Sequence, residues 1–526
     1  MDQLSTQSEN PRLPKVNDCE IFRRQQLGIF LLRPERNWRM KCRLMWLGLC
    51  LGLLSLLAPV PAIASPWAEV GDNQLRSDIE ILAASGVIDG ATIAWPLPWK
   101  SMLARLGGKT LASKPAWVQA AAMRVLAEAE AQTAPGGSAS LYVDATNKPG
   151  VVYGFDGMGR GDGQGQLSLG VNRGIFAGRI SLGGITQAFG GKPNKLMLDG
   201  TYLSARLGGF LVYAGYLDHW WGPGEISSLQ LSNNARPMPQ VGIERASTAA
   251  WSWPIFNLLG PWQWQFILGK FDGPQIQSNV YYNAMHLTVN PLPGLELGVA
   301  RTEEFCGKGH ACKPIVDYFH FSNYPNHPDN VNDEASWEIK YSRTLGGVPF
   351  QVYMQLMNED YSWFNHSGTS HLFGASVFLP TRDNPVKLTA EFTDSISTLH
   401  PFSFGDDIYG FSYTNAQYPD GMHYRGRTLG FSLDDDSQLL ALQASWSDEA
   451  ARFYELSLYR ANIGSSHSLG ANILSAKPVL LNMGEARMTL PWRDFKLDLA
   501  GRLQDDQPRP ARGFLASVEA SLRMTL

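Results

Sequence analysis

The chain has 526 residues and a formal net charge of −4 at pH 7, with 44 Lys and Arg against 48 Asp and Glu. Because binding to a phosphate backbone needs a positively charged surface, this balance argues against a nucleic-acid partner. Charged residues make up only 17% of the chain, while it contains 52 glycines and 11% aromatic residues. Such a composition favours many strands joined by tight turns over a helical membrane protein.

Residues 1–64 are predicted to be an N-terminal extension that ends in a secretory signal peptide. Basic residues precede an uncharged run at 44–58, and residues 62–64 have the small-x-small pattern of a cleavage site. A membrane anchor is the alternative, but the run is short for the roughly 20 residues that span a bilayer. We expect cleavage after Ala64, and Met40 is an alternative start of translation.

Residues 65–137 are predicted to form a small helical bundle. Asp72 precedes a stretch in which apolar residues recur at helical spacing, and Gly86 ends that stretch. A short helix is expected after the prolines of WPLPW, and an alanine-rich helix is expected to begin at Pro115.

From residue 138 to residue 526, apolar residues no longer recur at helical spacing but at every second position. Apolar and polar residues alternate at 386–393, for example, and again at 514–526. About 18 such runs have about ten residues each, the length that a tilted strand needs to cross a bilayer. A soluble sandwich also alternates, but an open sheet of this size would leave two long edges unpaired.

We therefore predict an all-β transmembrane barrel of about 18 antiparallel strands, preceded by the small N-terminal α-helical bundle. Long, polar segments at 303–333 and 394–422 are expected to be extracellular loops. Tight turns are expected at the glycine pairs that follow Leu207 and Leu345.

Two cysteines, Cys306 and Cys312, lie in one short polar stretch after the predicted cleavage site. In an exported protein such a pair predicts a local disulfide. His310 lies between them and raises a zinc alternative, but the spacing lacks the paired ligands of known zinc sites. We predict the disulfide, and no metal or other cofactor.

Three stretches carry a resemblance to a known family. They are GDNQLRSDIEILAASGVIDG with the WPLPW that follows it, WWGPGEISSLQLSNNARPMPQ, and DGMHYRGRTLGFSLDDDS. In this order they resemble the Wzi capsule-assembly family, and the resemblance covers the chain from about Asp72 to Leu526. It implies an outer-membrane β-barrel of a Gram-negative bacterium, with a periplasmic helical bundle.

The resemblance also implies a function and partners. The protein is expected to be a non-catalytic, lectin-like protein that attaches capsular polysaccharide or exopolysaccharide to the cell surface. Surface polysaccharide and outer-membrane lipid are the expected partners, and the helical bundle either contacts capsule export machinery or braces the barrel and closes its lumen. A channel for sugars or oligosaccharides is the alternative function. An enzyme is disfavoured, because the sequence contains neither G-x-S-x-G nor H-E-x-x-H.

The segment 218–240 is the first candidate site. Its prolines at 223, 237 and 239 cannot donate to a strand ladder, so we expect it to fold into the lumen or across the barrel mouth. One hypothesis is a structural constriction, in which Asn233, Asn234 and Arg236 satisfy backbone groups and carboxylates of the wall. The other is direct contact with sugar, since indole faces stack on pyranose rings and polar groups bond to hydroxyls. The candidates for that contact are Asp218, Trp220, Trp221 and Arg236.

Two further stretches carry candidates. Arg425 and Arg427 are expected to share one strand face and to form salt bridges in the lumen, while Asp435 is expected to belong to a solvated, charged turn rather than to a calcium site. An exposed aromatic loop that contains Tyr318, Phe321 and Tyr324 either grips a polymer or packs upon itself.

Overall fold

The computed structural model describes residues 65–88, 90–106, 111–156, 158–186, 196–253, 257–319, 331–359, 368–381, 384–465 and 472–526. All of them belong to one compact unit, Ala58–Leu526. The predicted signal peptide with its cleavage site at Ala64, and the candidate residues Phe321 and Tyr324, lie outside the described residues.

Three α-helices lie in the described part of the chain before the barrel: α1 (Asn73–Ala84), α2 (Trp99–Leu106) and α3 (Ala116–Thr133). Asp72 caps α1, because its carboxylate accepts a hydrogen bond of 2.9 Å from the backbone N–H of Leu75. Gly86 follows α1 with φ of 68°, a left-handed conformation that ends helices. We call residues 65–135 the helical unit.

No helix in the described stretches is long and apolar enough to cross a membrane.

Eighteen antiparallel strands, with the two-residue strands Leu196–Met197 and Asp407–Ile408 beside them, close into a barrel in which the last strand pairs with the first. The strands are β1 (Gly136–Thr146), β2 (Gly163–Arg173), β3 (Phe176–Thr186), β4 (Tyr202–Leu207), β5 (Phe210–Gly215), β6 (Gln240–Arg245), β7 (Trp262–Lys270), β8 (Tyr281–Leu292), β9 (Leu295–Phe305), β10 (Val331–Leu345), β11 (Val348–Glu359), β12 (Thr369–Leu379), β13 (Val386–Thr398), β14 (Gln438–Ser447), β15 (Phe453–Ile463), β16 (Val479–Trp492), β17 (Phe495–Gln504) and β18 (Leu515–Thr525). The predicted fold class is confirmed.

Shorter elements lie outside the barrel ladder. Three pairs of two-residue strands and two short 3₁₀ helices complete the described secondary structure: Trp67–Ala68 with Leu97–Pro98, Ala94–Trp95 with Trp220–Trp221, His423–Tyr424 with Arg427–Thr428, and the 3₁₀ helices Leu111–Ser113 and Ile315–Phe319.

The strands form because apolar and polar side chains alternate along them. On β13 the polar row Lys387, Thr389 and Glu391 is buried inside the barrel, whereas Leu388 between them faces outward and is exposed. Outward leucines on β14 and β15 lie beside one another in the same way, for example Leu442 and Leu458. Apolar residues thus cover the exterior and charged residues line the interior, as in barrels that cross membranes.

Connection lengths distinguish the two ends of the barrel. At the end where α3 enters β1, which we call the helical end, several turns contain two residues, and Gly208 and Gly346 adopt the positive φ that such turns need. At the opposite end, which we call the loop end, the connections are long, including 216–239, 306–330 and 399–437. Short periplasmic turns and longer extracellular loops are typical of outer-membrane barrels.

Candidate functional site

The segment 216–239, which we call the inward segment, leaves the loop end of β5 and crosses the lumen to the helical unit. There Trp220–Trp221 pairs antiparallel with Ala94–Trp95, and the N–H of Gly222 donates to the carbonyl of Ile93 at 2.9 Å. A connection from one end of the barrel is thus hydrogen-bonded to a unit at the other end, and the chain itself fills the interior between them.

Both tryptophans of this segment are fully buried. The indole N–H of Trp220 donates to the carbonyl of Gly224 at 3.1 Å, and that of Trp221 donates to the side chain of Gln265 on β7 at 2.6 Å. The hypothesis that Trp220 and Trp221 stack on sugar rings is therefore wrong, because neither ring has a face open to solvent.

A single wall residue secures the turn that follows the tryptophans. The carboxylate of Glu391 on β13 accepts hydrogen bonds from three consecutive backbone N–H groups, those of Glu225 (2.7 Å), Ile226 (3.2 Å) and Ser227 (2.7 Å). The hydroxyl of Tyr353 also donates to it, at 2.9 Å. Irregular backbone at this depth is tolerated because the wall satisfies its donors.

Buried ion pairs connect the helical unit, the inward segment and the wall. Lys387 of β13 contacts Glu80 of α1 at 2.5 Å and Glu225 of the inward segment at 2.8 Å. Arg76 of α1 lies 3.1 Å from Glu80, and Lys340 of β10 lies 3.6 Å from it. Since each buried charge needs an opposite partner, these pairs favour the arrangement in which all three parts remain docked.

Asn233 and Asn234 join the inward segment to other connections from the loop end. The amide of Asn233 donates to the backbone carbonyls of Phe155 and Asp156 at 3.3 and 3.2 Å. The amide of Asn234 donates to the carbonyl of Thr428 at 2.9 Å. Both side chains are buried and bond to backbone, so they contribute to the constriction rather than to a surface.

Arg425 and Arg427 do not share a strand face, contrary to the expectation from sequence. Arg425 lies in the tight turn between two short strands with φ of 52°, and its side chain pairs with Asp272 at 2.8 Å. Arg427 points the other way, donates to the side chain of Asn234 at 2.8 Å and covers the ring of Tyr153. Arg425 is therefore partly exposed, whereas Arg427 is buried.

The turn at residues 434–436 is not solvated, which corrects a second expectation. All three aspartates are fully buried. Asp434 accepts from His423 at 2.6 Å, whereas the carboxylate oxygens of Asp435 have no hydrogen-bond partner among the described residues. Burial, with Asp436 and Asp434 beside it, raises the pKa of Asp435 to about 9. In the described part of the chain, no group of three or more His, Cys, Asp or Glu side chains could hold a metal ion.

The structure joins Cys306 and Cys312 in a disulfide. Tyr318, the described member of the predicted aromatic loop, is buried beneath it. Its ring packs 4.4 Å from that of Phe305, and its hydroxyl accepts from the N–H of Lys313 at 2.9 Å. Polymer gripping by Tyr318 is therefore wrong, and its packing favours the alternative that the loop packs upon itself.

Charged side chains from three loop-end connections meet in one row. Asp218 lies 3.1 Å from Arg160, which lies 3.8 Å from Asp199, and Asp199 in turn lies 2.7 Å from Arg236. Burial raises the pKa of Asp218 to about 6, although Arg160 lowers it. We call these four residues, with the neighbouring pair Asp272–Arg425, the outer charge cluster.

Tyr216 lies within this cluster and was not among the residues predicted from sequence. Its phenol is partly exposed, and burial together with Asp272 raises its pKa. Asp199, Arg236 and Arg425 also act on it electrostatically. These residues are spread over more than 200 positions of the sequence, from Asp199 to Arg425, and only the barrel brings their connections together. An aromatic face between charged hydrogen-bonding groups is suited to hold a polar ring compound.

A polar cavity of about 210 Å³ extends from the outer charge cluster towards the helical unit. Asp218, Arg160 and Asn233 line it at the loop end, and Glu69 and Asp72 line it at the other end. Arg179 of β3 contacts Glu69 at 2.6 Å across it. The cavity is therefore bounded by paired charges and lies against strands β1 to β3.

The fold and these contacts define a class of protein, a closed transmembrane β-barrel whose interior is blocked by its own chain and whose loop end gathers charged and aromatic groups. Residues 124–505 match the family described as capsule assembly protein Wzi. The chain belongs to this family, and the resemblance read from the sequence is confirmed.

The chain is also similar to two known proteins, one in sequence and one in fold. It is 27% identical over 334 residues to an uncharacterized 55.8 kDa protein in the cps region of Klebsiella pneumoniae, a match that covers 62% of this chain and 64% of that protein. The chain thus spans less than two thirds of that relative. Its fold is similar to that of Wzi, an outer membrane protein involved in group 1 capsule assembly in Escherichia coli and a carbohydrate-binding β-barrel. The TM-score is 0.74 at 22% identity, over 88% of this chain and 99% of the other.

Proposed function

We propose that this protein is a non-catalytic protein of the bacterial outer membrane that attaches capsular polysaccharide or a related exopolysaccharide to the cell surface. Family membership supports a role in capsule assembly, and the E. coli structure of similar fold is described as carbohydrate-binding. The signal peptide would be cleaved near Ala64 during export, and outer-membrane lipid would surround the barrel.

One observation carries the proposal: the interior is blocked by hydrogen-bonded chain, while the outer charge cluster with Tyr216 lies at the loop end. A barrel of this kind is suited to binding at its outer face rather than to passage through it. Carboxylates and guanidinium groups bond to sugar hydroxyls, and the phenol of Tyr216 offers an apolar ring face. Asp218, Arg236 and Arg425 are candidate contacts in this cluster.

The experiment substitutes Tyr216 with alanine and measures polysaccharide bound to purified protein and polysaccharide retained by cells. We expect binding to be about ten-fold weaker, because the loss of one aromatic contact costs about 1.4 kcal/mol. We also expect the cells to shed more polysaccharide into the medium. Tyr409→Ala is the control, because Tyr409 is a tyrosine of connection 399–437 that lies outside the cluster and is more exposed than Tyr216. Equal binding by Tyr216→Ala and the unchanged protein would exclude the cluster as the sugar site.

A channel for sugars or oligosaccharides is the second candidate, and the polar cavity along β1 to β3 favours it. The two functions differ in conductance across a planar bilayer. If the protein attaches polysaccharide, we expect the unchanged protein to conduct almost no current. Steady, large single-channel currents would support the channel.

The helical unit is proposed to act first as a brace that closes the lumen at the periplasmic end. Contact with the capsule export machinery would be a further role for its outer surface. Cross-linking from Met123, an exposed residue of α3, tests that contact in cells that make the polysaccharide.

A further inference from the structure

The connection between β6 and β7, residues 246–261, is long for the helical end, where several turns contain two residues. Its first part contacts the helical unit, since the N–H of Thr248 donates to the hydroxyl of Ser101 on α2 at 3.2 Å. Two residues further along it expose large apolar side chains: Trp253 is 71% exposed and Leu258 is 74% exposed. Large apolar side chains exposed side by side usually mark a surface that contacts a membrane or another protein.

The exposed part is continuous with the outward surface of the barrel. Trp251 packs edge-to-face on Trp262 with ring centroids 4.7 Å apart. Trp262 begins the outward row of β7, where Trp264 and Phe266 follow it on the same face and stack on each other. Aromatic residues at the end of an outward apolar row are typical of the boundary between lipid tails and headgroups.

A positively charged side chain, that of Arg245, lies beside these aromatic residues. Arg245 ends β6 in the outward row that also contains Val241 and Ile243. Its guanidinium covers the ring of Trp262 at 3.6 Å from the centroid, and it donates to the backbone carbonyls of Trp262 and Ala249 at 2.6 and 3.1 Å. Among the ion pairs of the described residues, none involves Arg245. A partly buried guanidinium without a carboxylate partner is suited to bind an anionic oxygen.

We propose that Arg245 and the described parts of the connection, residues 246–253 and 257–261, form a phospholipid-binding site at the periplasmic rim of the barrel. Arg245 binds the phosphodiester of a lipid headgroup, while Trp253 and Leu258 enter the periplasmic leaflet beside the acyl chains. In this arrangement the indole of Trp251 lies at the boundary between headgroups and acyl chains, where amphipathic rings are favoured. The inference rests on the proposed membrane location but not on polysaccharide binding.

The first test measures depth. A spin label is attached to Leu258→Cys in the processed chain, where Cys306 and Cys312 are joined, and the protein is placed in vesicles of phosphatidylethanolamine and phosphatidylglycerol. We expect the label to collide more with oxygen than with a water-soluble nickel chelate, as a label at the outward Leu458 of β15 should. A label at Met123 on α3 provides the aqueous control.

The outcomes are distinct. If the label at Leu258 behaves like that at Met123 while the label at Leu458 lies in lipid, the lipid site is excluded and the membrane location stands. If both reagents fail to reach Leu258, a protein partner or a second copy covers it, and the inference is overturned. If the label at Leu458 is also aqueous, the membrane location fails as well.

The second test concerns the headgroup. Phospholipid that remains bound after detergent extraction is measured by native mass spectrometry for Arg245→Gln and for Arg173→Gln. Arg173 is the matched control, because it ends β2 at the same rim in an outward row but has no such connection beside it. We expect about five-fold lower retention for Arg245→Gln, the effect of one cation at an anionic lipid surface. Equal retention by the two variants would refute a specific site.

Discussion

Replacing Glu391 with alanine should release the inward segment without opening the barrel wall. The carboxylate accepts three backbone N–H groups of residues 225–227 at 2.7 to 3.2 Å. A buried donor left without an acceptor costs about 1–3 kcal/mol. Water can enter the space of the missing side chain, so we take the lower end for each donor and expect docking of the segment to weaken by about 3 kcal/mol in total.

Hydrogen exchange followed by mass spectrometry measures this change. A loss of about 3 kcal/mol should make amides in peptides from 216–239 exchange roughly 100-fold faster. Peptides from β14 to β18 should exchange as before, because their ladders do not depend on Glu391.

The control is Thr393→Val, on the same inward row of β13. The hydroxyl of Thr393 has no hydrogen-bond partner among the described residues, so its loss should leave exchange in the inward segment unchanged. Unchanged exchange of 216–239 in Glu391→Ala would refute the reasoning, as would equal loosening of the whole barrel.

Three further predictions concern other buried groups. Lys387→Met leaves two buried glutamates short of a cation, so docking of the helical unit should weaken by about 3–5 kcal/mol, measured by proteolysis within residues 65–135. Because the pKa of Asp435 is higher folded than unfolded, it binds a proton on folding and stability falls as pH rises from about 4 to 9. Asp435→Asn should remove this part of the pH dependence of the thermal midpoint. Cys306→Ser should destabilise only the loop around Tyr318, by about 2 kcal/mol, seen as faster exchange in residues 306–319.

The barrel was predictable because its information is local. Along β18 each outward residue alternates with a buried one such as Ser517 or Glu519, and a period of two over about ten residues suffices to indicate a strand that crosses a membrane. The disulfide was predictable for a similar reason, since Cys306 and Cys312 lie six residues apart. The prolines of the inward segment showed that it leaves the ladder.

The candidate site was less predictable, because burial and partners depend on distant parts of the chain. Trp220 and Trp221 have the chemistry of sugar contacts, but pairing with Ala94–Trp95 buries them. Asp435 has the chemistry of a solvated turn, but the tertiary structure buries it completely. Near Tyr216 the sequence shows only Asp218, whereas Arg160, Asp272 and Arg425 come from other connections that the barrel brings together.

By itself, the sequence determined that the chain alternates its apolar residues, closes into a barrel and belongs to a capsule-assembly family, since periodicity and motifs are properties of neighbouring residues. Only the tertiary structure decided which polar residues face solvent. That choice depends on how far each loop-end connection enters the lumen, and the entry is set by contacts such as those of Glu391 and Lys387 with residues more than 150 positions away.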